Sequence, residues 1–430
     1  MLEKRKKIGF KLITISAILL PALQVLFIIG LNSNYLIRFP YFIIICVLIL
    51  ILLIFLIAGV ILFVKNRGAN KRRLKKWLRI VIGIFLTLYL AGCVSFVTLM
   101  YGPYEKFRSW LITTAMNTMN HQYLCKWFYN DKQIEEVMSK NYIKESGDST
   151  DTSQIKHGEE LEYNEYEKEI MIHEKDELYK IITFNVNGAK AYLAAIYDPS
   201  LVKLEVTNQL GVKGEYVSHM AERAGALLAI NAGGFVDGYN CWGERPTGIT
   251  IKDKKIITNN EYGTATTTGG LIGMTDDNVL VLLKNVTADE AISMGVRDAV
   301  SWGPFLIVNG VASEVSGNGG WGGGARTAIG QRKDGTILFL VVDSNSIRTT
   351  GAGMEDLVQI MQRYGAVNAA NLDGGTSSVM DVRRQEAIQN YGADCHDYWS
   401  NYACHINDPI DSTGTHQTRY ISDAWVVVPK

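Results

Sequence analysis

Residues 369–381 read AANLDGGTSSVMD. A run of small residues suited to a buried strand ends in Asn371 and Asp373, turns through Gly374 and Gly375, and opens onto Thr376, Ser377 and Ser378. Glycines punctuate the end of an apolar run, and the polar groups beside them have no place in a core. The same grammar recurs along the chain: NAGGF from Asn231, SWGPFLIVNG from Ser301, GGGARTAIG from Gly322 and VVDSNS from Val341. One such junction is an ordinary tight turn. Five in one domain suggest loops whose backbone approaches an anionic or heavily hydroxylated ligand.

Around these junctions the pattern is mostly strand. KIITFNVNGAKAYLAAIYDPS and LVKLEVTN read as successive strands with a turn at Asp198-Pro199, and ITIKDKKIIT reads as a hairpin turning at Asp253-Lys254. Two segments carry helical spacing, 214–226 and 353–366; in the second, Met354, Leu357, Val358, Met361 and Tyr364 share one face and Gly365 supplies the stop. Many strands with few helices predict an α+β domain with a mixed sheet over 176–430.

The N-terminal part differs in kind. Three apolar runs, about 12–31, 41–64 and 80–100, are long enough for transmembrane helices and make residues 1–101 a membrane region. Lys and Arg crowd the tail and the connection at 65–79, while the connection at 32–40 holds only Arg38. The positive-inside rule then predicts a multi-pass protein of the cell membrane, with a cytoplasmic N-terminus, the lipid bilayer as a partner and an extracytoplasmic C-terminal domain. Residues 102–143, with Trp110 and Trp127, read as a membrane-proximal helical segment, and 144–175, acidic and poor in apolar residues, read as a linker. A net charge of +0 argues against a nucleic-acid partner.

Outside the membrane a disulfide can persist. CHDYWSNYACH at 395–405 offers either a Cys395–Cys404 bond or, with His396 and His405, a zinc site; the spacing fits no standard zinc pattern and favours the disulfide. GNGGWG at 317–322 satisfies a dinucleotide-loop pattern but lacks the strand and helix that would give it that function. Arg326, emerging from GGWGGGA, suits a phosphate or carboxylate, whereas Arg332, Arg348 and Arg363 lack that setting and read as surface residues.

Taken in order, NAGGF, Pro246-Thr247-Gly248, SWGPFLIVNG, RTAIGQRKDG, the strand into Asp343 and NLDGGTSS resemble the phosphodiester glycosidase family over roughly 175–430. Ser344 departs from it, since glycine more usually follows that aspartate. The resemblance implies an α+β domain that hydrolyses a sugar-phosphate diester, and bacterial members are associated with exopolysaccharide. A phosphate-containing envelope polysaccharide is therefore a further candidate partner.

Cleavage at an anomeric carbon passes through an oxocarbenium-like transition state that a carboxylate must support. Asp373 is the first candidate catalytic residue, as nucleophile or base, with Asp343 and then Glu244 as candidates for a second carboxylate. Asn231, Gly233, Gly234, Gly303, Arg326, Thr327, Asn371, Gly374, Gly375, Thr376 and Ser377 are the candidate substrate-binding residues. No cofactor is demanded, although Asp373 and Asp343 are of a type that holds calcium or magnesium. A phosphodiesterase cutting at phosphorus and a non-catalytic envelope-binding module are the rival readings.

Overall fold

The computed structural model describes residues 7–16 and a few positions between 19 and 59, then 91–117, 122–236, 242–259, 270–344, 351–393, 395, 400–409 and 418–430. The chain divides into two compact units, Met1–Lys140 and Asn141–Lys430.

In the first unit, helices Glu105–Met116, Tyr123–Lys126 and Asp131–Lys140 bury Ile112, Cys125, Tyr129 and Ile134 together. The Tyr129 hydroxyl donates to the Met100 carbonyl (2.9 Å), which gives a buried polar group its partner. Among the described residues no helix is long and apolar enough to cross a membrane. The three expected spans fall largely on residues outside those described.

The second unit is built on antiparallel sheets. A seven-stranded sheet runs Val311–Ala312, Phe305–Val308, Ala366–Asn371, Arg326–Arg332, Ile337–Val342, Ala189–Ile196, Tyr179–Val186. A five-stranded sheet runs Ala403–His405, Met380–Arg383, Leu228–Asn231, Asp423–Val427, Val202–Val206, and a third has Val296–Trp302 at its centre. Ile337–Val342 is apolar at every position because both faces are covered: Phe339 and Val341 meet Ile230, Trp425 and Ile272 of the other two sheets, while Leu338 and Leu340 meet Leu357 and Met361 of helix Met354–Arg363. Helix Val217–Ala224 covers the outer face of the second sheet in the same way and ends at left-handed Gly225. Asp253 and Lys254 turn the expected hairpin with φ of 48° and 59°, the conformation a two-residue hairpin needs.

Two readings change here. The acidic stretch 144–175 is stitched to the unit rather than strung from it. Tyr142–Lys144 pairs with Glu314–Ser316, Glu145 accepts from the Phe305 N–H and pairs with Lys284, and Asn164 caps helix Glu165–Met171. Composition registers charge, and these charges have specific partners. Arg332 is fully buried rather than on the surface: it pairs with Glu167 (2.8 Å) and Asp334 (3.0 Å) and donates to the Tyr364 carbonyl (2.6 Å). Arg363 is exposed, as expected, and stacks on Tyr166. Arg348 and His396 lie outside the described residues. Cys395 and Cys404 form the expected disulfide.

Candidate active site

Register brings the decorated strand ends to one place. In the large sheet Arg326 stands opposite Val342, which leads into Asp343, and Ala328 stands opposite Asn371, which leads into Asp373. The second sheet supplies Asn231 at the end of its own strand, opposite Ala424. Asn231 joins the two sheets: its Nδ2 donates to the Asp373 carbonyl (2.6 Å), and its Oδ1 accepts from Thr327 Oγ1 (2.7 Å) and the Val379 N–H (3.2 Å).

Asp373 is therefore pinned through its backbone. Its N–H donates to the Ala232 carbonyl (3.0 Å) while its own carbonyl takes Asn231, and the side chain remains half-buried. Asn371, two positions earlier, donates to the Gly303 carbonyl (2.8 Å). Asn231, Thr327 and Asn371 are thus engaged in holding the site together. Ser377 is buried as well.

The glycines have separate reasons. A Cβ on Gly233 would come within 2.9 Å of Val300, and one on Gly234 within 1.9 Å of the Trp302 ring. A Cβ on Gly374 would sit 2.9 Å from the Ala325 carbonyl and 3.4 Å from Arg326 Nη1, so glycine there lets the loop lie against the arginine. The Gly375 N–H donates to the Ala325 carbonyl and those of Ser377 and Ser378 are used inside the loop, while those of Gly374 and Thr376 make no backbone bond among the described residues.

Arg326 is buried, and no carboxylate lies within ion-pair distance among the described residues. Its Nε donates to the Ala352 carbonyl (3.2 Å) and its Nη2 to those of Trp321 (2.8 Å) and Gly322 (3.1 Å), leaving Nη1 toward Gly374. Burial pulls its pKa down to about 10, partly offset by the negative charge of Asp373. This is a fixed positive charge behind the Asp373 loop, without a free two-pronged grip.

Two groups were missed by sequence reading. Arg419 is half-buried over the Phe235 ring (4.8 Å), with Nη1 3.5 Å from Thr376 Oγ1, which places a second guanidinium beside the loop. Asp423 is buried and accepts from the Gly233 N–H (2.6 Å) and Ser422 Oγ (2.7 Å); burial, with Asp373 adding to it, raises its pKa to about 6. The only sequence cue was an acid placed at the start of the apolar run AWVVVP.

Asp343 belongs to a neighbouring network. Its Oδ1 accepts from Asn407 Nδ2 (2.9 Å) and both oxygens accept from the Asp408 N–H, while Asn407 also donates to the Ser378 carbonyl. Burial raises Asp343 to about 6. Its oxygens face N–H donors rather than an open position, and among the described residues no group of three His, Cys, Asp or Glu is placed to hold a metal. Glu244 is not brought to the loop by any described side-chain contact; its carbonyl accepts from Gly211.

A half-buried carboxylate with a buried guanidinium behind its loop, a second guanidinium beside Thr376 of that loop and a buried acid on Gly233, at the shared end of two packed sheets, is the kind of site a hydrolase of anionic substrates uses. Residues 224–428 match the family model for phosphodiester glycosidases, the family that the ordered blocks resemble. The chain is 32% identical over 188 residues to the SPbeta prophage-derived uncharacterized protein YomE of Bacillus subtilis (strain 168), covering 42% of this chain and 27% of that protein, so it spans about a quarter of the relative's length. Among solved structures it is similar to the zebrafish N-acetylglucosamine-1-phosphodiester alpha-N-acetylglucosaminidase catalytic domain auto-inhibited by its pro-peptide (19% identity, 60% of this chain and 86% of that chain, TM-score 0.42). It is also similar to a hypothetical protein from Synechocystis (15% identity, 58% and 61%, TM-score 0.35).

Proposed function

We infer that the domain hydrolyses the glycosidic bond of a sugar-1-phosphodiester in envelope or exopolysaccharide material, and that the apolar N-terminal runs anchor it to the membrane with the domain outside. The observation that carries this reading is the half-buried Asp373, fixed through its backbone on both sides and placed in the field of Arg326. Asp373 acts as nucleophile or as base on water, and the sugar-side positive charge that develops in the transition state lies next to a carboxylate. A phosphodiester already leaves as a stabilised anion, so the site must hold its charge more than protonate it. Arg419 beside Thr376 and the Gly374 and Thr376 N–H groups are the contacts suited to that, with Arg326 contributing charge from behind. Asp423 acts through Gly233 by setting the loop that faces Asp373.

The test is product analysis with the full chain on N-acetylglucosamine-1-phosphodiester and related sugar diesters. The expected outcome is free sugar plus a phosphomonoester, reduced at least about 10³-fold in Asp373→Asn, as for other enzymes that lose an essential catalytic side chain. Sugar-1-phosphate as product would move the cut to phosphorus. Binding without turnover, equal in both proteins, would make the domain a binding module.

A further inference from the structure

Two indoles beside the Asp373 loop have no role in the chemistry above. Trp302 and Trp321 stand at 69° to one another with ring centroids 6.3 Å apart. Trp302 ends its strand immediately before Gly303, whose carbonyl takes the Asn371 side chain two positions from Asp373, and it lies against Gly234, where any side chain would collide with the ring. Trp321 is fixed from the other direction: its carbonyl accepts from Arg326 Nη2, and that guanidinium sits 5.9 Å from its ring centre. The corner is therefore tied to both walls of the proposed site.

Both indoles pack partly against the cores, Trp302 on the one between the sheets and Trp321 on the one under helix Met354–Arg363, and each keeps part of its ring uncovered. Trp425, a core residue of the same unit, is fully buried, whereas Trp302 and Trp321 are each half-buried. Trp321 sits among Gly319, Gly320, Gly322, Gly323 and Gly324, so its sequence neighbours carry no side chains to cover the ring. Trp302 Nε1 is buried with no hydrogen-bond partner among the described residues, as is Trp425 Nε1, so it is the half-exposed rings and not this N–H that set the pair apart from the core. The uncovered parts of the two indoles give apolar surface beside the Asp373 loop, suited to the C–H face of a ring.

We propose that Trp302 and Trp321 form an aromatic corner that holds the pyranose ring whose anomeric carbon faces Asp373, so that the site takes a ring sugar rather than an open-chain polyol phosphate. This rests on the glycosidase reading of the site. The C–H face of a pyranose packs on the electron-rich indole face, and the same face attracts the positive charge that spreads over the ring in an oxocarbenium-like transition state. The corner therefore acts on both KM and kcat. The phosphate is left to Arg419 and the loop N–H groups.

The test compares the full chain with Trp321→Ala and Trp321→Phe by titration calorimetry, using a methyl diester of N-acetylglucosamine-1-phosphate and diethyl phosphate as probes. The expected result is a roughly three- to tenfold loss of sugar-diester affinity in Trp321→Ala, most of it recovered in Trp321→Phe, with diethyl phosphate binding equal in all three. Unchanged sugar-diester affinity in Trp321→Ala would overturn the proposal. So would equal loss of both probes in a folded protein, because it would make Trp321 a support for Arg326. If Trp321→Ala does not fold, Trp302→Phe replaces it with the same expectation at a smaller magnitude. If the wild type binds the sugar diester through the corner but turns over no diester, the corner stands and the glycosidase reading falls. A wild type that binds neither probe removes both.

Discussion

Arg326 and Arg332 stand at opposite ends of one seven-residue strand, both buried, and their surroundings differ in one respect. Arg332 meets two carboxylates, Glu167 and Asp334, so its charge is neutralised inside the protein. Arg326 meets three backbone carbonyls, which hold it in place with dipoles and leave its charge uncancelled within ion-pair distance among the described residues. A buried cation without a counter-ion is costly to keep. Its position behind the Asp373 loop gives a reason for keeping it. Burial by itself does not distinguish a structural arginine from a functional one, and the chemistry of the partners does.

The comparison can be broken most forcefully at the neutralised end. Arg332→Met should destabilise the fold by about 3–5 kcal/mol, because it strands Glu167 and Asp334 without a partner. Urea denaturation measures this, and the folded fraction should keep wild-type kcat. At the other end, Arg326→Met should lower kcat/KM about 10²-fold or more, in the range seen when a preorganised charge-stabilising donor is removed. Steady-state kinetics on the sugar diester is the measurement. An Arg326→Met protein with near-normal kinetics would reduce Arg326 to a strut, and a loss of kcat in Arg332→Met would erase the distinction.

A smaller effect sharpens the contrast with an acid. Asp381 is buried with both oxygens unpartnered among the described residues, and burial raises its pKa from 3.8 to about 8. It lacks even the carbonyl-like solvation that Arg326 enjoys, so it gives up its charge. Because the folded value lies above the unfolded one, its contribution is complete below about pH 4 and is lost as pH rises toward 8. Asp381→Asn cannot ionise. The Tm difference between variant and wild type should therefore move in favour of the variant from pH 4 to pH 8 and level off above that range. A difference that stays flat across the range would show that Asp381 has a partner in solution.

Much of the fold was legible because its signals are local. Apolar runs bounded by turn residues marked the strands, the 354–361 spacing marked a helix, and Asp253-Lys254 marked a hairpin. The site was legible where polar groups end apolar runs, as at Asn231 and Asp373. What was hidden depends on partners far along the chain. Glu145 and Glu167 look like tether charges until Lys284 and Arg332 are found beside them. Arg332 looks exposed for the same reason. Asp423 and Arg419 reach the site only because Asp423–Val427 pairs with Leu228–Asn231, a register no single segment announces. Thr327 and Asn371, expected to bind substrate, spend their side chains on Asn231 and the Gly303 carbonyl.

The seven-stranded sheet also separates two boundaries that are easily confused. The stretch matched by the family model begins at residue 224, yet Tyr179–Val186 and Ala189–Ile196 complete that sheet and Val202–Val206 completes its partner. A chain cut at residue 224 would leave Ile337–Val342 and Asp423–Val427 as bare edges, with unpaired N–H and C=O groups along two of the most apolar strands in the molecule. Such edges recruit other chains. The boundary of shared ancestry and the boundary of autonomous folding therefore lie at different residues, and a fragment trimmed to the first should aggregate where one trimmed to the second would not.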